Sequence, residues 1–350
     1  ALYLRDTLSR QVNISGAINI QDLNKDHALD PSKLAFRSLY SHNIKLSTPK
    51  ASGTPETKVL GYLFLLKKYS KGFDDYMADL VRAYIKQVEV VTNNAKRLDS
   101  VIEGERLKSE MSIARSVQES LIPNIQEEVS TFQLNAFYQP AAEVGGDYYD
   151  IARRDDETTW FLISDVSGKG VNAAFHVAKM KGIFQALSKT KTSMEEFLSQ
   201  ANAAVLSSFE KGVYITLVLL SINQRKKQIQ WARAGHCPIL FWNSKTLSLE
   251  LLKDKGLGLG IAQDEQFRQL NQIQSRNYNE GDIVVMYTDG ITEARNKNNE
   301  EYGAERLKRI ISENASNPTD EIEKKLIKSI SDFRGAQQIF DDISSIIIKF

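Results

Sequence analysis

Cys237 is the only cysteine in this 350-residue chain, so an internal disulfide framework is excluded and a reducing compartment fits. A surplus of either charge is also missing. The formal net charge of +1 gives no general reason to expect nucleic acid, which needs a basic surface, although it leaves room for a local basic patch. Long hydrophobic runs are absent as well. The longest, VYITLVLLSI at 213–222, is far short of the ~20 residues that cross a bilayer as a helix. No signal peptide is visible, and the expectation is a cytoplasmic protein with no membrane span in this chain. The opening at Ala1 reads as the interior of a longer sequence, so a preceding segment could hold targeting information. There is no internal repeat and no low-complexity tract. An apolar content of 42% with 25% charged residues is that of a globular protein, and the length allows two domains with cores of their own.

The pattern changes twice along the chain. Residues 1–75 mix short strands, GAINIQDL and KVLGYLFLLKK, with polar loops such as STPKASGTPETK. From about Phe73 the period becomes helical. Leu80, Tyr84, Val88, Val91, Ala95, Leu98 and Ile102 form one stripe, Gly104 interrupts it, and Leu107, Met111, Ala114, Val117 and Leu121 resume it before Pro123. Such stripes suit a coiled coil or signalling linker with a break at Gly104, and equally a helix packed on its own domain. Beyond about 125 the chain is rich in strands: FQLNAFYQ, DYYDI, TTWFLISDV, VYITLVLLSI, QIQWARAG, DIVVMYT and DISSIIIKF. SINQRKKQ has the polar character of a hairpin turn. Helices are expected over 170–188, 194–210, 303–315 and 319–333. Paired helices between hairpins predict an α+β fold with antiparallel sheet, and the lack of βαβ alternation argues against a Rossmann sheet.

Four aspartates stand in short motifs at expected strand ends: Asp147 in GGDYYD, Asp165 in SDVSGKG, Asp289 in YTDGITEA and Asp341 in FDDIS. Carboxylates delivered from several strand ends, with small residues beside them, can line an oxygen pocket for hard divalent cations. Converging carboxylates repel one another unless cations neutralise them. Two cations held together can activate a water for in-line attack on phosphorus. Asp-only ligation favours Mg²⁺ or Mn²⁺ over zinc, which prefers His and Cys. Gly145, Gly146 and Gly290 permit tight turns beside these residues. Taken singly, each motif could instead be an Asp-Gly turn or a helix N-cap.

In order, EVGGDYYDI, SDVSGKGVNAAF, AGHCP, LGLGI, GDIVVMYTDGITEARN, EEYGAERL and DDISSIIIKF resemble the metal-dependent protein phosphatase 2C family. The nearest branch is the bacterial one of stage II sporulation protein E and the sigma-factor regulator phosphatases. The resemblance covers about 125–350. It implies an αββα sandwich of antiparallel sheets flanked by helical hairpins, two Mn²⁺ or Mg²⁺ ions, and hydrolysis of phosphoserine or phosphothreonine on a protein by a metal-bridged water. The usual substrate in that branch is an anti-sigma-factor antagonist. Carried over by residue, Asp165 would bridge both metals and the Val166 carbonyl would ligate one. Asp289 and Asp341 would complete the first metal's shell, and Asp147 would bind directly or through water. Asp342 stands where the family often has Asn, and would sit behind the ligands. The branch lacks the phosphate-binding arginine of eukaryotic relatives, and QPAA precedes EVGGD here.

Three positions depart from the branch. Arg233 and Cys237 replace asparagines around AGH, and His176 replaces an aliphatic residue. They read as a surface arginine, a small buried thiol and a helix-face histidine, with Arg233 also able to meet phosphate if it lies near the cleft. DLNKDHALD fails as a calcium loop at His27 and Lys33. Gly168-Lys169 fails as a Walker motif, and GLGLG as a dinucleotide fingerprint. Cys237 with His236 lacks the arginine of a thiol phosphatase. Residues 1–95 resemble the C-terminal part of a GAF domain, through VLGYLFLLKKYSKGFDDYMADLVRAYIKQVEVV. The expected organisation is therefore a partial GAF-like sensor at 1–95, a coiled-coil-like linker at 96–124 and a catalytic domain at 125–350. The sensor would take a small-molecule or protein signal, and the linker could pair two copies. The competing reading is a catalytically silent docking protein of the same fold.

Overall fold

Strands covered on both faces need no polar alternation, and the apolar runs 158–166, 215–223, 283–287 and 343–349 are buried almost throughout. They are the centre of a two-sheet sandwich. The computed structural model describes residues 12, 16–20, 22, 36–48, 56–68, 72–123, 126–129 and 132–350. Two compact units result, Ala1–Lys108 and Ser109–Phe350.

In the first unit, β1 (Ala17–Ile20), β2 (Ser38–Thr48) and β3 (Glu56–Lys67) form an antiparallel sheet in sequence order. Leu39 and Ile20 are buried on one side with Tyr62 and Phe64 against them, and Tyr40 packs with Phe73 and Ala78 on the other. The expected strands GAINIQDL and KVLGYLFLLKK contain β1 and most of β3. The centre of the loop STPKASGTPETK and nearly all of DLNKDHALD lie outside the described residues. Helix α1 runs from Asp75 to Leu121. It passes through Gly104 without interruption, which corrects the expected break there. One glycine costs a helix only ~1 kcal/mol relative to alanine, too little to stop a helix of this length.

The second unit holds two sheets whose strand pairs are all antiparallel. One has the order β11-β10-β13-β14-β5-β4 and the other β12-β9-β8-β7-β6. In chain order these are β4 (Gln126–Val129), β5 (Phe132–Gln139), β6 (Asp147–Arg153), β7 (Thr158–Val166), β8 (Ile215–Asn223), β9 (Gln228–Ala234), β10 (Ile239–Asn243), β11 (Ser248–Leu252), β12 (Gln274–Asn277), β13 (Ile283–Tyr287) and β14 (Ile343–Lys349). Alternate residues of the two inner faces meet: Phe161, Ile163, Val218 and Leu220 oppose Phe241, Val284, Met286 and Ile346. The outer face of the β6–β9 sheet is covered by α2 (Val171–Ser188) and α3 (Met194–Ser208), with Met180, Phe184 and Phe197 fully buried. A capping box fixes the start of α3, since Ser193 Oγ accepts from the Glu196 N–H while Glu196 Oε2 accepts from the Ser193 N–H.

After the seven-residue α4 (Asp264–Leu270) and the one-turn α5 (Asp289–Thr292), helices α6 (Gly303–Glu313) and α7 (Thr319–Arg334) cover the other sheet through Leu307, Ile311, Ile322 and Leu326. The layers are therefore αββα, as expected. SINQRKKQ is the β8–β9 hairpin, with Asn223 opposite Gln228 and Lys227 at φ 49°. No helix of the described residues is long and apolar enough to cross a membrane.

Candidate metal centre

Two aspartates come from each sheet. Asp147 opens β6 and stands opposite Asp165, near the end of β7. Asp289 begins α5, two residues past β13, and Asp341 lies two residues before β14. Because β13 and β14 run antiparallel, the end of one and the start of the other coincide.

The carboxylates act on one another through their charges. Burial pushes Asp165 up to about 7, and Asp289, Asp341 and Asp342 push it the same way while Lys169 opposes them. Asp289 is raised by burial and then by Asp341. Asp147 is raised well above the ordinary carboxylate range by burial, then by Asp165 and Asp342. Asp165 thus feels both pairs. Asp341 is partly exposed and forms an ion pair of 2.9 Å with Lys169, whose ammonium also donates to the Phe340 carbonyl. Among the described residues, no three His, Cys, Asp or Glu side chains stand close enough together to enclose an ion as they are placed. The donor set nonetheless fits a hard divalent cation: it is all oxygen, and its carboxylates lack enough positive charge to offset their mutual repulsion.

Backbone and hydroxyl groups hold this cluster in place. Thr288 Oγ1 and Ser344 Oγ both donate to Asp147 Oδ2, at 2.8 and 2.6 Å. Asp342 turns its carboxylate to the loop before β6, accepting from the Gly146 N–H at 2.6 Å, the Ala141 N–H at 2.7 Å and the Asp147 N–H at 3.3 Å. A Cβ on Gly146 would lie 2.8 Å from the Val166 carbonyl oxygen, and one on Gly290 would lie 2.0 Å from the Asp342 carbonyl oxygen. The side chain of Gln118, near the end of α1, grips Gly145 at both groups, donating to its carbonyl at 2.6 Å and accepting from its N–H at 2.9 Å. Lys181 of α2 donates to the Leu121 carbonyl at the same helix end.

Of the three departures, Arg233 and His176 lie apart from this chemistry, while Cys237 feels the charges of the aspartates. Arg233 is half-buried, and its guanidinium is spent on backbone, bonding the carbonyls of Asp254 and His236. Burial, with Asp289 next, pushes the Cys237 thiol up to about 12, so it stays protonated at neutral pH. Burial lowers His236 to about 3, and its Nδ1 meets Thr216 Oγ1 at 2.8 Å. His176 stacks on Phe209 with ring centroids 4.5 Å apart. Sequence reasoning missed Thr288, Ser344, Gln118 and the pairing of Lys169. Thr288 and Ser344 could have been suspected, since each lies within three residues of a motif aspartate on a strand end.

Two outcomes are expected. Gly290→Ala should abolish metal-dependent activity, because its Cβ meets immovable backbone; melting curves with and without Mn²⁺ should show an unchanged ion effect only if this account is wrong. The raised carboxylates also fix a pH dependence. Their folded values lie above the unfolded ~3.9, so the folded state holds more protons between the two. Without divalent cation, thermal stability should therefore fall as pH rises from about 4 to about 7, the value for Asp165. Saturating Mn²⁺ should remove that fall, as measured by melting temperature across pH.

Comparison with known proteins agrees with the geometry. The sequence pattern of stage II sporulation protein E (SpoIIE) matches residues 155–350, which include Asp165, Asp289 and Asp341. The chain is 29% identical over 245 residues to the phosphoserine phosphatase RsbU of Bacillus subtilis (strain 168), spanning 70% of this chain and 71% of that one. The SiaA-PP2C domain of Pseudomonas aeruginosa superposes with a TM-score of 0.61 at 16% identity, covering 71% of this chain and 98% of the domain. The PP2C phosphatase domain of SpoIIE from Bacillus subtilis, solved with a fragment of its regulatory domain, gives a TM-score of 0.54 at 19% identity over 65% of this chain and 64% of that one. These two structures share its fold. With more than half of its length matched, the chain belongs to the stage II sporulation protein E family of metal-dependent, PP2C-type protein phosphatases.

Proposed function

We propose that the chain removes phosphate from phosphoserine or phosphothreonine of a regulatory phosphoprotein, an anti-sigma-factor antagonist, at the centre formed by Asp147, Asp165, Asp289 and Asp341. The observation that carries this reading is the delivery of two aspartates from each sheet to one end of the sandwich. The name of RsbU, a phosphoserine phosphatase, supports the substrate class. Bound there, two Mn²⁺ or Mg²⁺ ions would neutralise the carboxylates and the phosphoryl oxygens and activate the attacking water. Asp165, which feels the other carboxylates most widely, would hold both, with the Val166 carbonyl on one of them. Asp289 and Asp341 would help to hold one of the ions, and Asp147 would contribute directly or through water. Thr288 and Ser344 fix the direction of the Asp147 carboxylate, and Lys169 steadies Asp341 at the rim. Phosphate release from a phosphoserine protein should need Mn²⁺ or Mg²⁺ and fall by about 10³-fold or more in Asp289→Asn. Silence of the wild type on suitable phosphoproteins would favour the docking reading.

Regulation acts through α1 in this reading. A signal at the GAF-like first unit changes the packing of the helix, and the grip of Gln118 on Gly145 carries the change to the loop before Asp147. Tyr84, Val91 and Leu98, at seven-residue intervals, are 64%, 67% and 59% exposed, and a second copy would cover them as a coiled coil. Removing residues 1–100 should alter the metal concentration at half-maximal activity and lower the solution mass from dimer to monomer. An unchanged midpoint would rule out the coupling, and an unchanged mass the pairing.

A further inference from the structure

Beside Asp341 lies a cavity of about 190 Å³ whose walls include Lys169, Glu293, Arg295, Arg334, Phe340 and Asp341 itself. Of its cations, Lys169 is paired with Asp341 at 2.9 Å, and Arg295 with Glu301 at 2.8 Å and Asn299 at 3.0 Å. Arg334 differs. No hydrogen bond or ion pair of its guanidinium is found among the described residues, and its Nε is buried without an acceptor. A buried donor with no partner is costly to leave unmatched. The place of Arg334 in the last turn of α7 suits a positive charge through the helix dipole, but leaves that Nε unanswered. Phe340 adds an apolar wall and is 60% exposed, directly before the proposed ligand Asp341.

One unpaired guanidinium and an exposed aromatic wall in the same cavity match a side chain with a short apolar stem and a terminal carboxylate. Of the four site aspartates, only Asp341 borders the cavity. Its occupant is thus a neighbour of the reacting phosphoserine rather than the phosphoryl group, which belongs over Asp165. We propose that this cavity receives an Asp or Glu side chain of the substrate protein close to its phosphoserine, and that Arg334 sets this preference by pairing with the carboxylate. The inference rests on the phosphatase reading and adds a sequence requirement to it.

Phosphoserine peptides carrying Glu, Gln or Lys at each position flanking the phosphoserine test it, assayed with Mn²⁺ on wild type and on Arg334→Glu. Wild type should favour Glu over Lys at one flanking position by about tenfold in kcat/KM, with the difference residing in KM. Arg334→Glu should reverse that order. Each ranking is a ratio within one protein, so partial misfolding of the variant cancels. The same ranking in both proteins overturns the inference while leaving the phosphatase intact. A uniform fall for all peptides in the variant, with the ranking kept, also overturns it, since it places Arg334 on the phosphoryl group. A wild type inert towards every peptide overturns the phosphatase reading and this inference together.

Discussion

Like charges gathered at the meeting of two apolar sheets are the constraint on which the catalytic unit turns. Two unit charges ~4 Å apart at a protein surface oppose each other by about 4 kcal/mol, and here burial adds to the repulsion at Asp147, Asp165 and Asp289. Such a cluster persists only if something else sets the backbone that carries it. The ladders do so. Asp147 is locked opposite Asp165 by the β6–β7 register, and the 289 and 341 positions are brought together by β13 and β14. Those strands are among the most buried in the molecule, so the energy of the shared core holds the acidic end together.

The groups around the aspartates divide the remaining work. Thr288 and Ser344 donate to Asp147, favouring its charged form against burial. Asp342 spends its carboxylate on three backbone N–H groups, and so orders the loop from Ala141 to Asp147 rather than adding a free charge. Glycines appear where two backbones must touch. At Gly290 the turn after β13 packs on the carbonyl of Asp342, and at Gly146 the loop packs on the carbonyl of Val166. Each contact joins one motif to another, so the motifs found separately along the chain form a single bonded framework.

Much of this was legible because buried strands write themselves as apolar runs and stop at a charge. TTWFLISDV and FQLNAFYQ coincide with β7 and β5, and the four long helices of the catalytic unit fall within two residues of their expected ends. Two of the strands that escaped notice give no such signal, whereas β10 (ILFWN), also missed, is a buried apolar run. β12 (QSRN) and β11 (SLELL) lie at sheet edges with partly exposed side chains, and α4 is too short to show a helical period. Gly104 misled because an interrupted stripe was read as an interrupted helix, although backbone hydrogen bonding tolerates a shift of face. The hydroxyl clamps escaped because Ser and Thr in a strand look like ordinary strand formers. The role of Gln118 could not be read at all, since it depends on a contact across 27 positions of sequence.

That contact bears on how the helix end and the metal centre depend on each other. Gly145 cannot carry a side chain, because a Cβ there would fall 2.2 Å from Asp342 Oδ2 and 2.7 Å from the Tyr138 hydroxyl. Its own N–H and carbonyl are answered by one side chain, Gln118, which is itself buried. Rotation of the helix by a fraction of a turn would orphan both groups at a cost of roughly 1–3 kcal/mol each. A shift of the Gly145–Asp147 loop would carry the same penalty. The positions of helix and ligand loop are therefore linked by an energy large enough to change a population by orders of magnitude, and the last turns of α1 belong to the framework of the site as much as the strands do.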